Sequence, residues 1–100
     1  MTLLVPIDAK EIEDAVICQI CDKQSWALVS IEQGSVKECQ LCDSKEDITQ
    51  IIDYIVIKDK NEDVDSFIQE GIEVLVISSQ KYVDDIIEAF MFRELHQLGE

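Results

Sequence analysis

Three apolar runs along the chain predict strands that are buried on both faces of a sheet. They are "TLLVPI" (2–7), "YIVI" (54–57) and "IEVLVI" (72–77). Continuous apolar runs of this length are typical of strands in a parallel, doubly covered sheet. The two later runs are joined by "KDKNEDVDSFIQEG", so a strand-helix-strand crossover unit is expected over residues 54–77.

A hairpin is predicted between these runs, because "WALVSIE" and "GSVKECQL" flank the two-residue break Gln33-Gly34. With Glu32 opposite Ser35, the register gives the pairs Ile31–Val36, Leu28–Cys39, Trp26–Leu41 and Ser25–Cys42. Alternation then places one set of side chains on the core face of the hairpin, namely Trp26, Leu28, Cys39 and Leu41.

Helical spacing marks three segments. The first has a capping box at Ser44 and Asp47, followed by an isoleucine stripe (48, 51, 52). The second has apolar residues at 64, 67 and 68 and ends at Gly71. The third carries Val83, Ile86, Ile87 and Phe90 on one face. The sequence therefore predicts one α/β domain over residues 1–100, with a mixed five-stranded sheet flanked by three helices; its antiparallel hairpin strands lie beside parallel crossover strands.

The net charge of the chain limits the classes of partner that it is expected to bind. The net charge is -14, and the 8 basic residues form no stripe that could follow a phosphate backbone. Nucleic acid and anionic membrane surfaces are therefore not expected partners, whereas cations and basic proteins are. The first residues, "MTLLVPIDAKEIED", have a short apolar run stopped by Pro6 and no basic region before it. This pattern predicts neither a secretion signal nor a membrane span, and we expect a cytoplasmic protein with reduced cysteines.

Two Cys-x-x-Cys pairs are the strongest chemical signal, "CQIC" at 18–21 and "CQLC" at 39–42. Four thiolates in two such pairs can surround one tetrahedral metal ion, and soft thiolates favour zinc, copper(I) or iron-sulfur species. In the register above, Cys42 lies close to the loop that carries Cys18 and Cys21, so these three are the candidate metal ligands. Cys39 is expected in the core, since residues i and i+3 of a strand point to opposite faces.

Two other interpretations of the cysteines stay open. Free cysteines are often small buried hydrophobic residues with no chemical role. A redox dithiol at Cys18 and Cys21 is the third interpretation, although "CQIC" does not lie between a strand and a crossover helix as in thioredoxin-type centres.

The order of these segments resembles the dinitrogenase iron-molybdenum cofactor biosynthesis family. "LLVPID" is similar to the opening strand of that family and "WALVSIEQGSVKE" to its hairpin. "DYIVI" and "FIQEGIEVLVI" are similar to its later strands, and "VDDIIEAFMFREL" to its last helix. The resemblance covers nearly the whole chain. It implies a ribonuclease-H-like fold and a non-enzymatic carrier of iron-sulfur or iron-molybdenum cofactor precursors.

This chain departs from the family pattern at the site. Where the family has Ser-x-His-Phe-Gly, the matching positions are Cys18, Ile20, Cys21 and Asp22. Because Cys18 and Cys21 occupy positions of this family segment, the resemblance implies that they bind the cofactor. Cys42 is added as a metal ligand because of its place in the hairpin. Two alternatives are a structural zinc site in a protein-interaction module and a small dithiol oxidoreductase.

Other polar residues give weaker signals. Acid pairs such as Glu62-Asp63 and Asp84-Asp85 are interpreted as solvated helix starts, so no catalytic residue is predicted. Asp8 could begin a carboxylate nuclease site, but the acidic surface disfavours it. His96, the only histidine, is expected to be exposed. Met91 and Phe92 widen the apolar face of the last helix, which suggests either a partner or self-association surface or a deeply packed helix.

Overall fold

The sheet has six strands, and strand β1 lies near its centre. The computed structural model describes residues 1–9, 11 and 15–98. The strands are β1 (Thr2–Ile7), β2 (Ser25–Glu32), β3 (Ser35–Cys42), β4 (Tyr54–Ile57), β5 (Glu73–Val76) and β6 (His96–Gln97); the helices are α1 (Asp65–Gln69) and α2 (Val83–Met91). The strand order is β3-β2-β1-β4-β5-β6. The hairpin strands β2 and β3 are antiparallel, while β1, β4 and β5 run parallel.

These elements confirm the α/β class and the mixed sheet and correct the count of elements. The prediction of five strands and three helices is wrong, because the described residues form six strands and two α-helices. The extra strand, β6, is a two-residue pairing with β5 and carries no hydrophobic pattern.

The missing helix is the one predicted after Ser44. Ser44 does accept a hydrogen bond from the Glu46 N–H, but only a single 3-10 turn follows, at Lys45–Asp47. A segment of this length has too few hydrogen bonds to stabilise a helix by itself. It stays irregular, with Ile48 and Ile52 packed on the sheet and Ile51 85% exposed.

Each face of the sheet has its own apolar cluster, since the residues of the central strands alternate between two buried faces. The α2-side cluster includes Leu3, Val5, Ile7, Val29, Val56, Val83 and Ile86. The α1-side cluster includes Leu4, Trp26, Leu28, Ile55, Val64 and Phe67. Aromatic edge-to-face pairs add to both sides, Trp26 with Phe67 and Tyr54 with Phe90.

Both helices form where their spacing predicts, although Ile68 of the first predicted stripe is 52% exposed while Val64 and Phe67 are buried. Val83, Ile86 and Ile87 are buried, and Phe90 packs against the same α2-side cluster. Helix α1 is followed by Gly71 with φ of 83°, the left-handed conformation that ends a helix. In the described part of the chain, neither helix is long and apolar enough to span a bilayer.

The hairpin register is correct at the turn and wrong beyond it. Ile31 pairs with Val36 as predicted, but Lys37 is left unpaired in a β-bulge and Ser30 then pairs with Glu38. From there the pairs shift by one residue, to Val29–Cys39, Ala27–Leu41 and Trp26–Cys42. Because side chains alternate, one residue of slip moves each β3 side chain to the other face.

The shift changes the predicted core face. Trp26 and Leu28 share the α1-side cluster as expected. Cys39 packs instead against the α2-side cluster, and Leu41 is 36% exposed. The predicted face of four side chains is therefore wrong in its two β3 members.

Candidate functional site

A crevice lies where β1 and β4 end. These strands are parallel neighbours, yet the chain leaves β1 towards β2 and leaves β4 towards β5 on the opposite side. In α/β sheets a crevice forms at the carboxyl ends of such strands, and ligands commonly bind there. The topology therefore places two loops at this edge: the long loop after β1 and the loop at 58–64.

The first loop folds back along β1 and brings Cys18 to the end of that strand. Ile17 forms an antiparallel bridge with Ile7, and the Cys18 N–H donates to the Pro6 carbonyl oxygen at 3.1 Å. Asp8 joins the two arms, since its Oδ1 accepts from the Val16 N–H at 3.1 Å. Because Ile17 is fully buried, the loop is anchored in the core immediately before Cys18.

Glu62 ties this loop to the loop that follows β4. Its Oε1 accepts from the Ile20 N–H at 2.6 Å, and its Oε2 accepts from the N–H groups of Lys58 at 3.0 Å and Asp59 at 2.8 Å. Hydrogen bonds from backbone N–H groups to a carboxylate are charge-assisted and therefore strong, and Glu62 accepts three of them. Glu62 thus fixes the position of the 3-10 turn at Ile20–Asp22.

Cys21 lies at the wall of the crevice. The cavity between the two loops has a volume of about 490 Å³, and its lining consists of Gln19, Ile20, Cys21, Asp59, Asn61, Glu62 and Asp63. The Cys21 side chain is exposed, and its thiol donates to Gln19 Oε1 at 3.8 Å. A thiol and several carboxylate and amide oxygens, all of them potential metal ligands, therefore line one open cavity.

Cys18 differs electrostatically from an ordinary thiol. Burial raises its pKa to about 11, and the negative charges of Asp8, Asp22 and Glu62 act in the same direction, partly opposed by Lys58. The Cys18 thiol is consequently protonated at neutral pH. A metal ion that binds it must displace this proton.

The two hairpin cysteines occupy opposite faces of β3. Cys39 packs on the α2 side and Cys42 on the α1 side, which confirms that they cannot converge on this strand. Burial is the main factor that raises the pKa of each thiol, with Asp84 adding to it at Cys39, and Asp47 and Asp43 at Cys42.

Cys42 lies at the same end of the sheet as Cys18, although its predicted partner is wrong. It pairs with Trp26 instead of Ser25, and Trp26 pairs with Pro6 of β1. Two strand spacings, roughly 10 Å, therefore separate Cys42 from the β1 backbone that binds Cys18. Within residues 1–9, 11 and 15–98, no three His, Cys, Asp or Glu side chains are grouped closely enough to hold a metal ion.

Glu62 is the residue that the sequence interpretation missed. It was grouped with the solvated acids of a helix start, but it is half-buried and accepts three backbone hydrogen bonds. Its only sequence signal is its position four residues after Lys58 in a loop without glycine. His96 is exposed, as expected, although it lies in β6.

A large apolar side chain is exposed to solvent directly after helix α2. Phe92 is 69% exposed, while Phe90 and Met91 pack on the α2-side cluster. A cavity of about 670 Å³ lies beside them and is also lined by Tyr54 and Leu75. A partner or self-association surface at this helix stays a prediction.

Comparisons with known proteins give structural relatives. No protein-family model and no curated protein sequence matches the chain. A crystal structure of a candidate dinitrogenase from Methanocaldococcus jannaschii superimposes with a TM-score of 0.77 at 18% identity, covering 100% of this chain and 96% of that one. An NMR structure of the same protein gives 0.68 at 19% identity, with 100% and 94% covered.

A third structure, of a second protein, is the NMR structure of a candidate NifB protein from Thermotoga, which belongs to the DUF35 family. Its TM-score is 0.70 at 14% identity, and the match covers 99% of this chain and 94% of that one. At these identities the comparison establishes a shared fold. The chain accordingly has the fold of these nitrogenase-named proteins over essentially its whole length.

Proposed function

We propose that this protein is a non-enzymatic carrier domain that binds a metal ion or a metal-sulfur precursor in the crevice between β1 and β4. The cargo would be held by the thiolates of Cys18 and Cys21, and the role would be related to nitrogenase, as the names of the structural relatives suggest. The observation that carries the proposal is the place of "CQIC": it lies at the carboxyl ends of two diverging parallel strands, with Cys21 open to the crevice.

The arrangement suits a transient cargo better than a permanent ion. Two thiols from one loop leave the remaining coordination positions of a metal free for sulfide, water or a partner protein. Cys42 would need to approach from β3, two strand spacings from β1, to act as a third ligand. We therefore assign Cys18 and Cys21 as primary ligands and Cys42 as a ligand that joins after the loop moves.

The ribonuclease-H-like assignment belongs to the same proposal. Its support is a central β1 with an antiparallel hairpin on one side and parallel crossover strands on the other. We place the carrier in the cytoplasm, because thiols stay reduced there.

Both alternatives fit the geometry less well. A structural zinc site requires four converging ligands, whereas Cys39 and Cys42 lie on opposite faces of β3. A dithiol oxidoreductase requires a thiol with a lowered pKa, whereas burial raises that of Cys18 to about 11.

The test is reconstitution of the anaerobically purified protein with ferrous iron and sulfide, followed by metal analysis and visible absorption. We expect bound iron and thiolate-to-metal absorption bands that Cys21→Ser abolishes. Cys39→Ser is the matched control and should bind as the parent protein does. A colourless, metal-free protein whose four thiols all react with a thiol reagent would contradict the proposal.

A further inference from the structure

The backbone around Glu62 has the features of an anion-binding site. Three N–H groups, from Ile20, Lys58 and Asp59, point at one carboxylate and lie 2.6 to 3.0 Å from its oxygens. They come from two separate loops, so the convergence is a tertiary feature and not a property of a single turn. Groups of backbone N–H donors aimed at one point are how many proteins hold phosphate and other anions.

The present occupant of this position is the chain's own side chain. Glu62 follows Lys58 by four residues, which is close enough for its carboxylate to fold back onto the N–H groups at the start of the same loop. It also lines the open cavity of about 490 Å³. A carboxylate and a tetrahedral oxyanion present similar acceptor oxygens to such donors.

We propose that the N–H groups of Ile20, Lys58 and Asp59 form a cradle for a small tetrahedral oxyanion, and that Glu62 occupies this cradle as an internal competitor. An oxyanion that displaces Glu62 takes over its three hydrogen bonds. Because one of the three comes from Ile20, the exchange also detaches the cysteine loop from Glu62.

The surrounding charges set the strength of this site. The carboxylates of Asp22, Asp59 and Asp63 lie on the same two loops and repel an external anion, while Lys58 supplies a compensating positive charge. Inside the intact protein, Glu62 has the further advantage of being tethered. We therefore expect millimolar binding once Glu62 is removed, and at least tenfold weaker binding while it is present.

The inference concerns the crevice of the proposed function, but it does not require thiolate ligation. Its test uses metal-free protein under reducing conditions, whereas the carrier proposal is tested by metal loading. Failure of one experiment therefore leaves the other unaffected.

The experiment is an NMR titration of the full chain with inorganic phosphate at constant pH, with sodium chloride at matched ionic strength as the reference. In Glu62→Ala the amide signals of Ile20, Lys58 and Asp59 should shift together and saturate. In the parent protein the same signals should move with at least tenfold lower affinity. Glu62→Gln keeps the side-chain length without the charge, so it should bind phosphate with intermediate affinity, and it provides the test if Glu62→Ala does not fold.

Asp22→Ala is the matched control, because it removes one carboxylate from the same edge without touching the cradle. It should strengthen phosphate binding far less than Glu62→Ala does, because it removes one repelling charge but leaves Glu62 in the cradle. Two results would overturn the proposal: a folded Glu62 variant whose three amides do not respond to phosphate, or phosphate binding to Asp22→Ala that is as tight as binding to Glu62→Ala.

Discussion

The two cysteine pairs, "CQIC" and "CQLC", differ in sequence only by isoleucine against leucine. In the structure they differ in secondary structure and in the surroundings of their thiols. The first lies in a loop, where a 3-10 turn leaves Cys21 exposed beside a crevice and Cys18 at the end of β1. The second lies in the edge strand β3, where the two thiols point to opposite faces. The Cys-x-x-Cys spacing therefore describes a metal-binding geometry only when the backbone between the cysteines turns.

The surroundings of the two pairs differ as well. Cys21 lies in the 3-10 turn held by Glu62 and Cys18 precedes that turn at the end of β1, whereas Cys39 and Cys42 contribute to two distinct apolar clusters. Four predictions test this contrast.

The largest effect tests the register that sends Cys39 and Cys42 to their separate faces. Leu28→Ala should cost about 3 kcal/mol of unfolding free energy, because Leu28 is 2% exposed in the α1-side cluster. Leu41→Ala should cost less than about 1 kcal/mol, since Leu41 is 36% exposed. Urea denaturation measures both. Equal and large losses of unfolding free energy would contradict the observed register. They would indicate the unbulged pairing, in which both leucines are core residues.

The second prediction concerns thiol reactivity in the loop. In a variant that keeps only Cys18, alkylation at pH 8 should be about a hundredfold slower in the folded protein than in urea, because the thiolate fraction falls with a pKa raised from 9.0 to about 11. The folded rate should rise about tenfold per pH unit up to that value. A variant that keeps only Cys21 should be alkylated readily when folded, since this thiol is exposed. Similar folded and unfolded rates at Cys18 would refute its protected state.

The third prediction is that removing Glu62 affects the first cysteine pair and not the second. Glu62→Ala removes the acceptor of three backbone N–H groups and should cost about 2 kcal/mol. It should also speed the alkylation of Cys18 while leaving that of Cys42 unchanged, because all three hydrogen bonds of Glu62 lie in the two loops at the crevice. Asp22→Ala serves as the control and should have little effect on stability. Equal acceleration at both cysteines would indicate general loosening of the fold.

The smallest effect is expected at the hairpin turn that precedes "CQLC". Gln33 and Gly34 both have positive φ, 54° and 79°. Two-residue hairpin turns of this kind favour Asn or Gly at the first position. Gln33→Asn should therefore stabilise the protein by about 0.5 kcal/mol, measured as a shift in the urea midpoint. A loss of stability would mean that the turn has another conformation.

Several parts of the fold could be predicted because their patterns are local. The apolar runs of β1, β4 and β5, the Gln33-Gly34 turn and the stripe of α2 each follow from a few neighbouring residues. The segment after Ser44 could not be predicted this way. Its isoleucine spacing suits a helix, but Ile48 and Ile52 pack on the sheet without one.

The site was less predictable, because its geometry depends on contacts between distant segments. The bulge at Lys37 lies on an exposed edge with no glycine or other sequence mark, so the faces of Cys39 and Cys42 were assigned in reverse. The role of Glu62 depends on Ile20, 42 residues away in the chain. No local pattern distinguishes it from the other acids of this strongly acidic protein.

The bulge at Lys37 selects one of two conceivable pairings of β3 with β2. Regular pairing from the turn would place Cys39 beside Leu28 and Cys42 beside Ser25, whereas the bulged pairing places them beside Val29 and Trp26. A change between these states would exchange the two thiols between the α1 and α2 sides without altering a single residue. The face of the sheet on which each hairpin cysteine lies therefore depends on a single residue. If Lys37 pairs with β2, each cysteine lies on one face, and if Lys37 is bulged out, it lies on the other.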